Sequence, residues 1–192
     1  VRHPGEAGVK PAIASLVLTF ATRPSKSIVV NARPRKASCA TGSPATQLAG
    51  FIAKFDPKIA RFIRSVRAAL RKRFPSAFEL VYDNYNFFVI GYASTDRASD
   101  AFISLVADGH GVSICFIYGA RLPDPQKVLH GSGNQTRSLR LESAATLARP
   151  EVETLLRAAV AFGKRPLPSS GQGPLIIKSI STKQRPRRLS PK

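Results

Sequence analysis

Three short stretches of this chain bring together residue types that could hold a ligand. Tyr82-Asp83-Asn84-Tyr85 places a carboxylate and an amide between two phenols. Asp and Asn bond their own backbone and so make turns, while tyrosines pack their rings and point their hydroxyls outward. The cluster reads as a turn between strands, with a polar lip on a ligand pocket as its functional alternative. Gly131-Ser132-Gly133 followed by Arg137 could cradle a small anion, because glycines let backbone N–H groups approach it and arginine offers a fork of donors. Two glycines with no helix directly after them are neither a dinucleotide nor a P-loop fingerprint, so loop geometry is the plainer reading. Arg185, Arg187 and Arg188, in the run QRPRR, could meet a nucleic-acid backbone together with a basic helix face. Solvated charge is the simpler account of them.

Nothing in the sequence assembles a reaction centre. No Ser or Cys nucleophile motif and no acid–base pair is recognisable, so the chain is read as non-enzymatic and without a cofactor. Asp96, Asp100, Asp108, Asp124, Glu142, Glu151 and Glu153 are scattered, and His110 and His130 are isolated. None of them makes the clustered oxygen set a hard cation prefers or the spacing of a zinc site. Two cysteines, Cys39 and Cys115, are too few for a disulfide framework and fit a reducing compartment. Cys115 alternates with apolar neighbours and reads as a small buried hydrophobe.

The charge is lopsided, with 30 Lys+Arg against 11 Asp+Glu in 192 residues, a formal net charge of +19. Residues 1–48 and 166–192 each carry +6, and residues 49–165 carry +7, so the excess concentrates in the flanks. Such a balance favours phosphate backbones, anionic membranes or acidic partners. No apolar stretch approaches the roughly 20 residues of a spanning helix, so no membrane is expected. The run AIASLVLTFA, Ala12–Ala21, has the length of a signal-peptide core, but Arg23, Lys26, Arg33, Arg35 and Lys36 follow it, which is poor for export. An acid-poor leader of this kind also suits an organelle transit segment. The chain contains no Met, and the reading adopted makes residues 1–46 a disordered leader or misassigned start of a cytoplasmic protein.

The elements that would position these residues follow from periodicity. Asp56-Pro57 opens a helix, and Ile59, Phe62, Ile63, Val66, Leu70 and Phe74 recur at three- and four-residue steps until Pro75. Lys58, Arg61, Arg64, Arg71 and Lys72 take its other face. Strands are expected over 78–83, 87–92, 101–106, 112–118 and 138–142, with the second pair of central strands joined across Asp108-Gly109-His110-Gly111. Pro150 starts a second helix carrying Val152, Leu155, Leu156 and Ala159, and Gly163 ends it. The fold class is α+β: one compact domain, a curved antiparallel sheet of about five to six strands, and N- and C-terminal helices on one face. Residues 47–162 form the domain, and 163–192 hold a Pro/Gly/Ser linker, a candidate strand over 175–180 and a basic tail. Apolar residues fill both alternating sets of the central strands, so the second sheet face needs cover. The 175–180 segment, a second copy of the chain in a homodimer, or a small molecule would supply it.

Several of these stretches together resemble a known family. FIAKFDPKIARFIRSVRAALRKRFPSAFELVYDNYNFFVIGY, FIYGARLPDPQKVLHGSGNQTRSLRLE and PEVETLLRAAV are similar, in order, to the YdhG-like family, a family of domains of unknown function. The resemblance covers residues 47–162, and the closing PLIIKSISTKQRPRR resembles the tail of some bacterial members. It implies a compact α+β domain with a curved antiparallel sheet. One branch is described as a frataxin-like intracellular iron chaperone, so iron enters only through the resemblance. Asn134 stands where many members carry Lys, and His130 where an acidic residue is common.

Overall fold

In a computed structural model the chain is described over residues 42–188; Cys39, the Ala12–Ala21 run, the rest of the leader and residues 189–192 lie outside the described residues. The first described helix, α1 (Pro44–Ala53), was not expected, although its signals stand in the sequence. Ser43 accepts the Thr46 N–H as N-cap, Pro44 takes the first turn, and Leu48, Phe51 and Ile52 are buried at three- and four-residue spacing. Helix α2 (Pro57–Arg73) follows at once. The Asp56 carboxylate accepts the Lys58 N–H, and Ala60, Ile63, Val66 and Leu70 form the buried stripe. Each of the larger side chains in that stripe contributes about 1.5–3 kcal/mol by leaving water.

Strands β1 (Phe78–Asp83), β2 (Phe88–Ala93), β3 (Ala101–Asp108), β4 (Gly111–Phe116) and β5 (Arg137–Arg140) come next, then α3 (Pro150–Ala161) and β6 (Leu175–Ile180). They make one six-stranded sheet in the order β5-β4-β3-β2-β1-β6. The expected hairpin is present, with Asp108 paired to Gly111 and the Asp108 carboxylate accepting the N–H groups of His110 and Gly111. The α+β class stands, but the sheet is mixed rather than antiparallel, because β6 runs parallel to β1. The cause is the connection. Residues 162–174 carry the chain from the end of α3 back to where β1 begins, and a long return permits parallel pairing where a tight hairpin would not.

The docking of β6 depends on a close approach of two backbones. The Gly173 N–H donates to the Pro75 carbonyl and the Glu79 N–H donates to that of Pro174. A Cβ on Gly173 would lie 1.9 Å from the Ala77 carbonyl oxygen, so only glycine fits. Segment 175–180 is thus an edge strand of the same sheet and does not lie across its second face.

All three described helices pack on one side. Leu48, Phe51, Ile63, Val66, Leu155 and Leu156 join Phe88, Ile90, Tyr92, Leu105, Ile114 and Phe116 in a single cluster. The opposite side carries two smaller clusters, one around Leu80, Ala93 and Ile117 and one around Phe87, Val106 and Cys115, and no described helix contributes to either. Among the described residues no helix is long and apolar enough to cross a membrane.

Candidate functional site

The C-terminal segment does not trail from the domain. After β6 it folds back over the β1–β2 turn, and Asp83, the last residue of β1, holds it there. The Gln184 amide donates to the Asp83 carbonyl at 3.0 Å, and the Ser181 N–H donates to the same oxygen at 2.9 Å. Arg187 reaches the carbonyls of Asn86 at 2.7 Å and Asn84 at 2.5 Å, and its Nη2 lies 3.4 Å from Asp83 Oδ1. On the other carboxylate oxygen sits Lys54 Nζ, at 2.5 Å, which also donates to the Gln184 side chain. The Arg187 guanidinium further lies over the Phe55 ring. Burial lowers the Arg187 pKa, and the Asp83 charge only partly opposes that effect.

The Tyr82–Tyr85 cluster therefore serves as a socket for the tail. The Asn84 N–H closes the turn on the Phe87 carbonyl, while the Asn84 amide oxygen accepts Ser179 from β6. Tyr85 is exposed, with the Arg185 guanidinium over its ring. Tyr82 points to the second sheet face and packs with the Leu80 cluster. Of the three tail arginines, Arg187 is committed inside the fold, whereas Arg185 and Arg188 are exposed.

The glycine loop closes on itself. Arg137 Nη1 donates to the carbonyls of Gly133 and Thr136, so one prong of the fork is turned onto its own loop. Gly131 has φ +124°, a conformation L side chains rarely adopt, which accounts for a glycine there by geometry. His130 and Ser138 exchange backbone hydrogen bonds across the base of the loop, and Asp124 accepts the N–H groups of Val128 and Leu129.

Helix α2 divides its arginines between two tasks. In its second half, Arg67 makes a two-pronged pair with Glu79 of β1, at 2.9 and 2.7 Å, and Arg71 adds a third contact at 3.1 Å. Arg71 also donates to the Gly173 carbonyl, and Tyr92 Oη donates to Glu79 at 3.2 Å. Glu79 is fully buried, so these donors replace its hydration. Burial works to lower the Arg67 pKa, but the hydrogen bonds and charge of Glu79 raise it on balance. Burial, reinforced by the neighbouring Glu79 charge, pushes the Tyr92 phenol well above its ordinary value. This buried Glu79 centre was missed from sequence. Its one signal was an acidic residue between the apolar Phe78 and Leu80 of β1.

The first half of α2 is different. Arg61 and Arg64 are exposed, and among the described residues neither has an ion pair or hydrogen bond. They line an open cleft of about 280 Å³ with Phe55, Pro57 and Ala60, and Arg188 of the tail completes it. Arg188 is held by two bonds, Nε to the Phe55 carbonyl at 3.2 Å and Nη2 to the Ala53 carbonyl at 3.1 Å. A cation is well placed at the carbonyl-rich end of α1. Among the described residues no carboxylate lines the cleft. Two basic features far apart in sequence, the α2 face and the tail, thus become one surface.

The described residues do not assemble the iron site that the resemblance implies. Among the described residues no three His, Cys, Asp or Glu side chains come together. The buried carboxylates are already engaged by cations or hydroxyls: Glu79 by Arg67 and Arg71, Asp83 by Lys54 and Arg187, Asp100 by Thr95 and Arg165. Cys115 is buried in an apolar cluster, and that burial pushes its thiol up to about 12. Such a thiol is a poor nucleophile at neutral pH. Comparison with family models, curated proteins and solved structures finds no match to this chain.

Proposed function

We propose that this chain is a non-catalytic binding domain whose working surface is the basic face shared by α2 and the C-terminal tail, and that its partner is a nucleic-acid phosphate backbone. The observation that carries the reading is Arg188, held on the Ala53 and Phe55 carbonyls beside Arg61 and Arg64, which are unpaired among the described residues. Guanidinium groups without carboxylate partners are free to neutralise phosphates and release their counterions. Among the described residues no base-reading element accompanies them, so binding through this surface is indifferent to sequence. The reading fits a cytoplasmic protein of the YdhG-like kind, with phosphate rather than iron as the recognised chemistry.

Fluorescence anisotropy with a labelled mixed-sequence duplex tests it. Affinity should fall steeply between ~50 and ~200 mM salt, with a slope near −0.9 for each phosphate neutralised. Arg61→Gln, Arg64→Gln and Arg188→Gln should each make that slope less negative by about 1. Salt-insensitive binding, or no binding at low salt, rejects the reading.

A second reading rests on the sheet face without a described helix, where Phe78, Val89, Tyr118 and Ile176 are half-buried. A second copy of the chain would seal that face as a homodimer. Sedimentation equilibrium should then show the dimer, and a monomer at high concentration ends this alternative.

A further inference from the structure

The cleft at the α1–α2 corner has a shape that a flat polyanion contact does not require. It is concave, with Phe55 and Ala60 buried as its apolar floor, while Arg61, Arg64 and Arg188 supply the polar groups around it. A polymer backbone presents diester phosphates, each with one negative charge, along a line. A strand end or a small phosphorylated molecule presents a monoester phosphate, whose second pKa near 6 gives it close to two charges at neutral pH. Three guanidinium groups around one concavity match the compact dianion better than the extended monoanion.

We propose that this cleft is a binding site for a single phosphate monoester group, with Arg61 and Arg64 as the exposed arms and Arg188 as the one held on backbone carbonyls. For a strand end as the source, the inference rests on the nucleic-acid reading above; for a small phosphorylated molecule it stands alone. Two features besides charge support it. First, Arg188 uses Nε and Nη2 on backbone carbonyls and, among the described residues, has no hydrogen bond at Nη1, so the guanidinium is already ordered and costs less to immobilise. Second, the nearest carboxylate in sequence, Asp56, is engaged as the N-cap of α2 through its bond to the Lys58 N–H. Arg67 and Arg71, one and two turns further on, show what an available carboxylate does to an arginine of this helix: both are drawn onto Glu79. Arg61 and Arg64 have no such partner, and the phosphate takes that role.

The experiment titrates the full-length protein with methyl phosphate, dimethyl phosphate and inorganic phosphate at constant ionic strength, following the arginine side-chain N–H signals by NMR. The same protein is then tested against oligonucleotides with a 5′-phosphate or a 5′-hydroxyl. Methyl phosphate and inorganic phosphate should saturate the Arg61, Arg64 and Arg188 signals, and dimethyl phosphate should bind about tenfold more weakly, the value of one lost charge-assisted contact. Arg61→Gln/Arg64→Gln should weaken methyl phosphate by at least about tenfold, while Arg97→Gln, on an exposed loop away from the cleft, should not. A preference for the 5′-phosphorylated strand identifies a strand end as the source. Equal binding of both strands, with saturable methyl phosphate, identifies a small phosphorylated molecule and still supports the site. Linear shifts that are the same for monoester and diester overturn the site, even if the duplex still binds with a steep salt dependence. Loss of duplex binding with saturable methyl phosphate rejects the nucleic-acid reading and leaves the site standing.

Discussion

Arg187 and Asp83 are 104 residues apart and meet inside the fold, with Nη2 3.4 Å from Oδ1 and both side chains almost wholly buried. The pair fastens the tail to the β1–β2 turn and thereby places Arg188 beside α2. A residue of the positively charged C-terminal run is in this way a structural clamp, and its neighbour becomes a candidate ligand contact.

Removing the clamp should unfold more than the tail. Arg187→Ala leaves Asp83 buried with Lys54 alone and strands the carbonyls of Asn84 and Asn86. A loss of about 3–5 kcal/mol is expected in urea denaturation. Arg187→Lys should recover little of it, because one ammonium cannot span two carbonyls and a carboxylate. A stability change under about 0.5 kcal/mol, the usual range of surface substitutions, would show that the clamp does not hold the domain.

The two halves of α2 should separate cleanly under mutation. Arg61→Gln and Arg64→Gln should shift stability by no more than about 0.5 kcal/mol, since neither residue has a partner to lose. Arg67→Gln leaves the buried Glu79 with one cation and should cost several-fold more, about 3 kcal/mol or above. Parallel thermal melts of the three variants decide the matter; equal losses would contradict the division.

Gly173→Ala should detach β6. The added Cβ meets the Ala77 carbonyl oxygen at 1.9 Å and its carbon at 2.3 Å, and both are backbone atoms. Forced backbone shifts of this kind cost about 1–3 kcal/mol or more. Hydrogen exchange should show the amide of Ile176, which faces β1, losing protection before those of β2 and β3.

Alkaline pH should destabilise the domain through Tyr92. Burial, then the Glu79 charge and hydrogen bond, raise its folded pKa well above the unfolded value of about 10. The neutral phenol is therefore the favoured folded form. Its contribution is complete below about pH 10 and is lost as pH rises from there towards the folded pKa. Tyr92→Phe should flatten the fall of unfolding free energy above pH 10, measured in a Cys115→Ala background. That background is needed because the Cys115 thiol, pushed up to about 12 by burial, loses stability over an overlapping range. An unchanged slope would mean that Tyr92 ionises without opening the core.

The first elements to be legible in the sequence were those with local causes. Asp56-Pro57 and a three-and-four stripe of apolar residues gave α2, and the Asp108–Gly111 turn gave the β3–β4 hairpin. The limits of β6 were also readable from its apolar run. Helix α1 carries Ser43-Pro44 and a short apolar stripe, whereas the domain was expected to begin only at residue 47. Strand ends moved by at most two residues; β4 stops at Phe116, where Ile117 and Tyr118 turn the chain into the short 3-10 helix Gly119–Arg121.

The candidate site was legible only as separate parts. The basic α2 face and the QRPRR tail were both visible, and the Tyr82–Tyr85 turn was recognised as a turn. Nothing local said that Asp83 would receive Arg187, or that Arg137 would bond its own loop.

By itself the chain determined its helices, hairpin and strands, because capping, turn chemistry and apolar period act over a few residues. The tertiary structure alone decided that β6 lies parallel to β1, that Glu79 gathers Arg67, Arg71 and Tyr92, and that Arg188 completes the cleft with Arg61 and Arg64. Each of these joins segments distant in sequence, where charge and hydrogen-bond partners are chosen by proximity in space and no periodicity records the choice.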